Sequence, residues 1–280
     1  MSQKIFSKNA KLGLSYSVIT LRLHQNIKSN FNSEDTFEEL QFLNNLENYE
    51  QGIDWYMNFF PERRKNSDKN LLYFEKSATY FDSDLAPKRA SALMKNAKLI
   101  SILISPSDRA YSWYQHMKAK KDPTAMKYSF YQVISNPSNL TSKSLKKLQS
   151  RCLEPGKYAL HIENWLKHYN YKQFHIIDGE KLKSDPIFVM DKLQNFLNVQ
   201  PIVNYEKLLK FNPKKGFWCA KKSANGIAKC LGKGKGRKYV DMEEKSRNFL
   251  ENYYKSDNKQ LSKLLKRLKI SIPDWLKNNL

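Results

Sequence analysis

The chain is 280 residues long and 40% hydrophobic, with 16 Tyr, 15 Phe and 5 Trp, enough for a sizeable core, which excludes disorder throughout. Its 49 Lys+Arg against 27 Asp+Glu leave a formal charge of +22, which points to a polyanionic partner (nucleic acid, an acidic membrane surface or a sulfated glycan) without naming one. No apolar run reaches the length of about 18 residues that a membrane span needs, and Met1-Ser2-Gln3-Lys4 lacks the apolar stretch of a signal peptide, so the chain reads as soluble.

At the N-terminus only Ile5 and Phe6 give apolar character before 12–23, which reads as a helix. A doubly wound sheet begins with a central strand there, so that strand is expected to be incomplete. The segment 71–75 (LLYFE) reads as a strand and 87–96 as a helix. The clearest strand is 98–104 (KLISILI), a β-branched run of the kind buried in parallel sheets. Ser105-Pro106-Ser107 turns the chain, and Asp108 is placed to cap a helix running to about Lys121. A second step follows, with a helix over 158–169, a strand over 173–177, a turn at Asp178-Gly179 and a helix over 180–197. The stretch 211–239 is rich in Gly and Lys and has no periodicity, which predicts a long functional loop. Beyond Asp241 the chain reads as helical to Trp275. Alternating strands and helices predict an α/β fold, a parallel sheet flanked by helices. Without an internal repeat or a linker, 1–280 reads as a single domain.

Of the three cysteines, Cys152, Cys219 and Cys230, only the last two are close in sequence. Neither has a histidine nearby, so no metal site is expected. A local disulfide between Cys219 and Cys230 is expected, worth about 3 kcal/mol through loop closure and implying an oxidising compartment; two unlinked thiols are the alternative. Just beyond Cys230, Lys233, Lys235, Arg237 and Lys238 are embedded among Gly232, Gly234 and Gly236. Glycines allow close backbone approach, so amides and cations can converge on a phosphate. A solvated basic hairpin or a nuclear-localisation patch is the competing reading of that cluster. No nucleic-acid-binding motif accompanies the charge, and no nucleic-acid partner is expected. Asn139-Leu140-Thr141 is a glycosylation sequon.

Several segments, in order, carry a resemblance: TFEELQF (36–42) with GIDWYMNFF (52–60), YFEKSATYFD (73–82), DRAYSWYQH (108–116), and KKGFWC (214–219) with CLGKGKGRKY (230–239). With the 158–165 helix they cover nearly the whole chain from about residue 24 onward. Together they closely resemble the sulfotransferase domain of the heparan sulfate N-deacetylase/N-sulfotransferases. FWC (217–219) and SWYQH (112–116) look more like this N-sulfating branch than like the 3-O-sulfotransferases. The resemblance implies a P-loop-like α/β sulfotransferase fold, a role in glycosaminoglycan biosynthesis and a place in the Golgi lumen. It also implies transfer of a sulfuryl group from 3′-phosphoadenosine 5′-phosphosulfate to the glucosamine amine of a heparan sulfate or heparosan chain. The product would be adenosine 3′,5′-bisphosphate; no metal and no membrane contact by this chain are implied.

The resemblance also implies roles. An acceptor amine must lose a proton, which calls for a base, and the correspondence puts that base at Glu39, with Glu38 and Gln41 binding acceptor. Cations that stabilise the charge building on the sulfate and leaving oxygens are placed at Lys11 and Lys76. His116, one helical turn after Ser112, is implied to touch sulfate or acceptor, and Trp113 to pack on the sugar. Lys11, Gly13, Ser15, Ser112, Lys235, Gly236, Arg237, Lys238 and Tyr239 are implied to hold the nucleotide, with Trp218 against the adenine.

Where the family loop reads Lys-Thr-Gly-Thr-Thr, this chain has Lys11, Leu12, Gly13, Leu14 and Ser15. Each lost hydroxyl contact to a phosphate is worth about 1.5–3 kcal/mol, about ten- to a hundredfold in affinity. Two explanations compete for 1–23, which reads as a divergent or truncated cofactor-loop region. One is a truncated or misassembled N-terminus, which the abrupt rise in likeness after about His24 favours. The other is a decayed loop in a noncatalytic, heparan-binding pseudoenzyme.

Overall fold

The computed structural model describes residues 3–8, 21, 23–30, 39–62, 71–136, 142–214, 216–221, 226, 228–229 and 240–278; at 3–8, 217 and 228–229 it describes the main chain only. In chain order the first elements are β1 (Gln3–Lys8), β2 (Ile27–Ser29), α1 (Leu46–Glu50), α2 (Gly52–Met57), β3 (Leu72–Ser77), α3 (Ala86–Leu93) and β4 (Lys98–Leu103). Five helices follow: α4 (Pro106–Ala119), α5 (Pro123–Lys127), α6 (Phe130–Ser135), α7 (Lys143–Leu153) and α8 (Tyr158–Leu166). Next come β5 (Phe174–Asp178), α9 (Gly179–Ser184), α10 (Pro186–Leu197), α11 (Tyr205–Leu208), β6 (Leu209–Asn212), β7 (Phe217–Lys221) and β8 (Ala228–Lys229). The described chain ends with α12 (Glu244–Arg267) and α13 (Asp274–Lys277). No helix among the described residues is long and apolar enough to cross a membrane.

The chain forms two compact units, one from residues 1–102 and 166–236, the other from 103–165 and 237–280. The first holds a five-stranded sheet in the order β2-β3-β1-β4-β5. β1 runs parallel to both β3 and β4, and β2 runs parallel to β3. The expectation of an incomplete first strand is therefore corrected: Gln3–Lys8 forms a six-residue strand between β3 and β4. A parallel ladder is made by main-chain N–H and C=O groups, so a polar sequence such as QKIFSK can occupy a central position that an apolar count does not reveal.

One face of the sheet presents Phe74, Ile100, Ile102 and Ile177 to a core completed by Val189, Met190, Leu193 and Leu197 of α10. Two helices stand where one was expected over 180–197, because Asp185 caps the second through the Phe188 N–H (3.2 Å) and Pro186 opens it. Proline at the first helical position loses no intrahelical hydrogen bond, whereas in the middle of a helix it breaks one. Asp178 likewise caps α9, its Oδ1 accepting from the Glu180 N–H at 2.9 Å. The stretch expected to lack regular structure contains β7 and β8, which with β6 form an antiparallel sheet.

In the second unit α4, α6, α7 and α12 close around Ala110, Tyr114, Phe130, Val133, Leu148, Leu250 and Tyr254. Two of its buried tyrosine hydroxyls find carbonyl acceptors: Tyr254 donates to Leu153 O at 2.7 Å and Tyr114 to Tyr128 O at 2.8 Å. α4 starts at Pro106, so Asp108 sits in its first turn rather than at the cap. Cys152 is a free thiol in this core, and burial pushes it up to about 12, which leaves it inert.

Candidate active site

β3 carries the densest group of functional side chains. Its residues alternate between two faces, yet the strand is buried on both, and it places Glu75 and Lys76 at 1% and 2% exposure. Charged residues are almost never buried this far without partners. Here the Lys76 Nζ lies 3.1 Å from Glu39 Oε1. The second oxygen of Glu39 accepts the Ala78 N–H at 3.0 Å. The Glu39 side chain keeps 20% exposure, so it is held on the protein side without being sealed from solvent.

The segment after Glu39 is tied to the same strand. Gln41 has a left-handed backbone, φ 51°, and its N–H points to Ser77 Oγ at 3.3 Å. The Leu43 N–H donates to the Tyr80 hydroxyl at 3.1 Å, and Asn44 Nδ2 to Thr79 Oγ1 at 2.8 Å. Behind this segment lies Glu75. Its Oε1 accepts from Ser77 Oγ (3.0 Å) and Tyr80 OH (2.7 Å), and its Oε2 from Tyr56 OH (2.8 Å). Burial lifts the Glu75 carboxyl from 4.5 to about 7 against the pull of those three hydroxyls, and the charge of Glu39 adds to the rise. Sequence reasoning gave Glu75, Ser77, Tyr56 and Tyr80 no role. An acid closing the apolar run LLYFE was the available signal.

In the second unit, α4 presents Ser112, Trp113 and His116, all partly exposed. The rings of Trp113 and His116 lie 5.7 Å apart, and the Arg151 guanidinium sits 5.4 Å from the centre of the Trp113 ring. The buried Arg109 holds that region by donating from Nη2 to Arg151 O. In the first unit Trp218 is half-buried against the sheet core, edge-on to Phe211 at 5.7 Å. Cys219, beside it, is buried and disulfide-bonded. The structure thus brings together Glu39, Gln41 and Lys76 in one unit, and Ser112, Trp113 and His116 in the other. Lys11, Gly13, Ser15, Glu38, Cys230, Lys235, Gly236, Arg237, Lys238 and Tyr239 lie outside the described residues.

The family described as Sulfotransferase domain matches residues 15–268, a span that runs through both units. The chain is 50% identical over 270 residues to the human bifunctional heparan sulfate N-deacetylase/N-sulfotransferase 1 and 52% identical to the human bifunctional heparan sulfate N-deacetylase/N-sulfotransferase 3. Each alignment covers 96% of this chain and 30% of the relative, so the chain spans under a third of these proteins. Among solved structures, a sulfotransferase from Alicyclobacillus acidocaldarius superposes with a TM-score of 0.64 at 18% identity, covering 98% of this chain and 99% of that one, which shows a shared fold. The chain belongs to the sulfotransferase domain family.

Proposed function

We propose that this chain is a heparan sulfate glucosamine N-sulfotransferase, its two units together forming one sulfotransferase domain. The observation that carries the reading is the Glu39 carboxylate held between the Lys76 ammonium and the Ala78 N–H, a fixed base that is still partly open to solvent. The half-identical relatives supply the substrate class, since their names place sulfate on heparan nitrogen.

A nucleotide donor suits the fold. β1 is the central strand, and the segment that follows Lys8 leaves the carboxyl end of a parallel sheet, where phosphates are commonly bound. Lys11, Gly13, Ser15, Ser112 and the run Lys235, Gly236, Arg237, Lys238 and Tyr239 are the residues to hold 3′-phosphoadenosine 5′-phosphosulfate, with Trp218 toward its adenine. That donor supplies the sulfuryl group. Glu39 accepts the proton that the glucosamine nitrogen gives up as its lone pair is committed to bonding. Lys76 keeps Glu39 oriented and adds positive charge where anionic oxygens gather. Gln41 and Glu38 bind the acceptor, and Trp113 and His116 offer a ring and an imidazole to a sugar. A disulfide from Cys219 to Cys230 suits a lumenal, oxidising setting such as the Golgi.

The test is transfer of labelled sulfate from the nucleotide donor to N-deacetylated heparosan by the purified chain. Replacing Glu39→Gln keeps the shape and removes the base, and should lower kcat by about 100-fold or more. A folded wild-type chain that retains on heparin yet transfers no sulfate and binds no nucleotide at millimolar concentration would leave only the glycan-binding pseudoenzyme, the reading that Leu12 and Leu14 in the loop raise.

A further inference from the structure

The Glu39 segment is held by hydroxyl groups whose direction is set elsewhere. A hydroxyl has one proton to give, and the side that does not donate can accept. Ser77 Oγ and Tyr80 OH each give their proton to Glu75. Each is thereby left with its lone pairs turned toward the loop, where the Gln41 and Leu43 N–H groups meet them. Tyr56 also gives its proton to Glu75, but no contact of its hydroxyl with the 39–43 loop accompanies this.

We propose that Glu75 is a positioning residue for catalysis: by fixing the hydroxyls of Ser77 and Tyr80 as acceptors, it locks the main chain that carries Glu39 and Gln41. The inference rests on the sulfotransfer reading above for its consequence in rate, though not for the geometry. The two N–H groups flank Phe42, so they fix the loop on both sides of a buried anchor. When ionised, the carboxyl is well matched to this task because its two oxygens can accept all three hydroxyl protons at once.

The test compares hydroxyls that reach the loop with the one that does not. Ser77→Ala and Tyr80→Phe should lower kcat by about 10- to 100-fold, the scale of a small displacement of a reacting group. They should also raise KM for the polysaccharide acceptor and leave KM for the nucleotide donor unchanged. Amide hydrogen exchange at Gln41 and Leu43 should accelerate in the same variants. Tyr56→Phe, which also takes a proton donor from Glu75, should lower the melting temperature while leaving kcat and loop exchange near wild type. Glu75→Leu should behave like the loop-facing pair, with Glu75→Gln recovering most of the rate; if Glu75→Leu fails to fold, the tyrosine pair decides alone. Losses of kcat that track melting temperature equally in all variants would overturn the proposal, as would unchanged exchange at Leu43 in Tyr80→Phe. Should the wild-type chain transfer no sulfate, the functional reading fails by its own test, and the exchange measurement still decides this one.

Discussion

The contact between Lys76 and Glu39 can be tested by a double-mutant cycle. At 3.1 Å the two charges attract by about 5 kcal/mol at an effective dielectric constant of 20. Desolvation opposes this: the Lys76 side chain is 3% exposed and that of Glu39 20%, so the lysine is fully stripped of water and the glutamate is not. Fully buried pairs cost about 3–5 kcal/mol when one partner is removed, and exposed ones couple by no more than about 1 kcal/mol. A pair with one buried and one partly open member falls between, at about 2 kcal/mol. Urea unfolding of wild type, Lys76→Met, Glu39→Gln and the double variant measures the coupling directly. The same four proteins assayed for sulfate transfer should show the double variant no slower than the slower single one, since the two groups act as a unit. A coupling within about 0.5 kcal/mol of zero, or rate losses that multiply, would refute the idea that Lys76 acts through Glu39.

Two further predictions concern stability. Gly156→Ala would bring a Cβ to 2.6 Å from the hydroxyl and 2.7 Å from Cζ of the fully buried Tyr254. Overpacking at about 1–3 kcal/mol and a strained bond to Leu153 O at about 1 kcal/mol should lower the melting temperature by several degrees; a melt within a degree of wild type would refute this. The second is a pH dependence. Glu75, faced by Tyr56 from α2, by Ser77 and Tyr80 and by the charge of Glu39, has a folded-state value raised to about 7. Its contribution is therefore fully present below pH 4.5 and lost as pH rises through 7, by about 3 kcal/mol at most. Relative to Glu75→Gln, the wild type should lose stability between pH 5 and pH 8 in urea titrations, and parallel curves would refute the assignment.

Elements whose identity depends on side chains were legible in the sequence. The run KLISIL has β-branched residues and no internal charge, and β4 lies within a residue of its expected end. Elements that depend on the backbone were not. β1 uses its main chain to pair on both sides, and its sequence advertises little of that. β7 and β8 are short strands (FWCAK and AK) set in a Gly- and Lys-rich stretch, which hides a short antiparallel ladder inside what reads as a loop. The break at Asp185-Pro186 was visible in principle, since a proline inside a helical pattern marks a start more often than an interior. Glu39, Gln41, Ser112 and His116 came from the resemblance alone; as residues they are an acid, an amide, a hydroxyl and an imidazole with no shared period. Glu75 differs from these. A carboxyl inside a buried strand is a physical oddity that needs partners, and seeking them among nearby tyrosines would have led to Tyr56 and Tyr80.

Glu39, the proposed base, stands on a segment with no regular secondary structure, and that has an energetic consequence. Ordering the backbone of 39–44 costs about 6–12 kcal/mol. Burial of Leu40, Phe42 and Leu43 at 2%, 1% and 0% exposure offsets about 5–9 kcal/mol of this. Apolar burial is non-directional, so it draws the segment onto the sheet without choosing which way Glu39 points. The choice is made by the contacts to Ser77 and Tyr80, each worth about 1 kcal/mol, and by those of the Glu39 carboxylate to Lys76 and Ala78, each worth about 2 kcal/mol. A directional polar contribution therefore sets the orientation of Glu39, which the non-directional apolar one cannot. That division is why removing one hydroxyl behind the loop should cost more in rate than in stability.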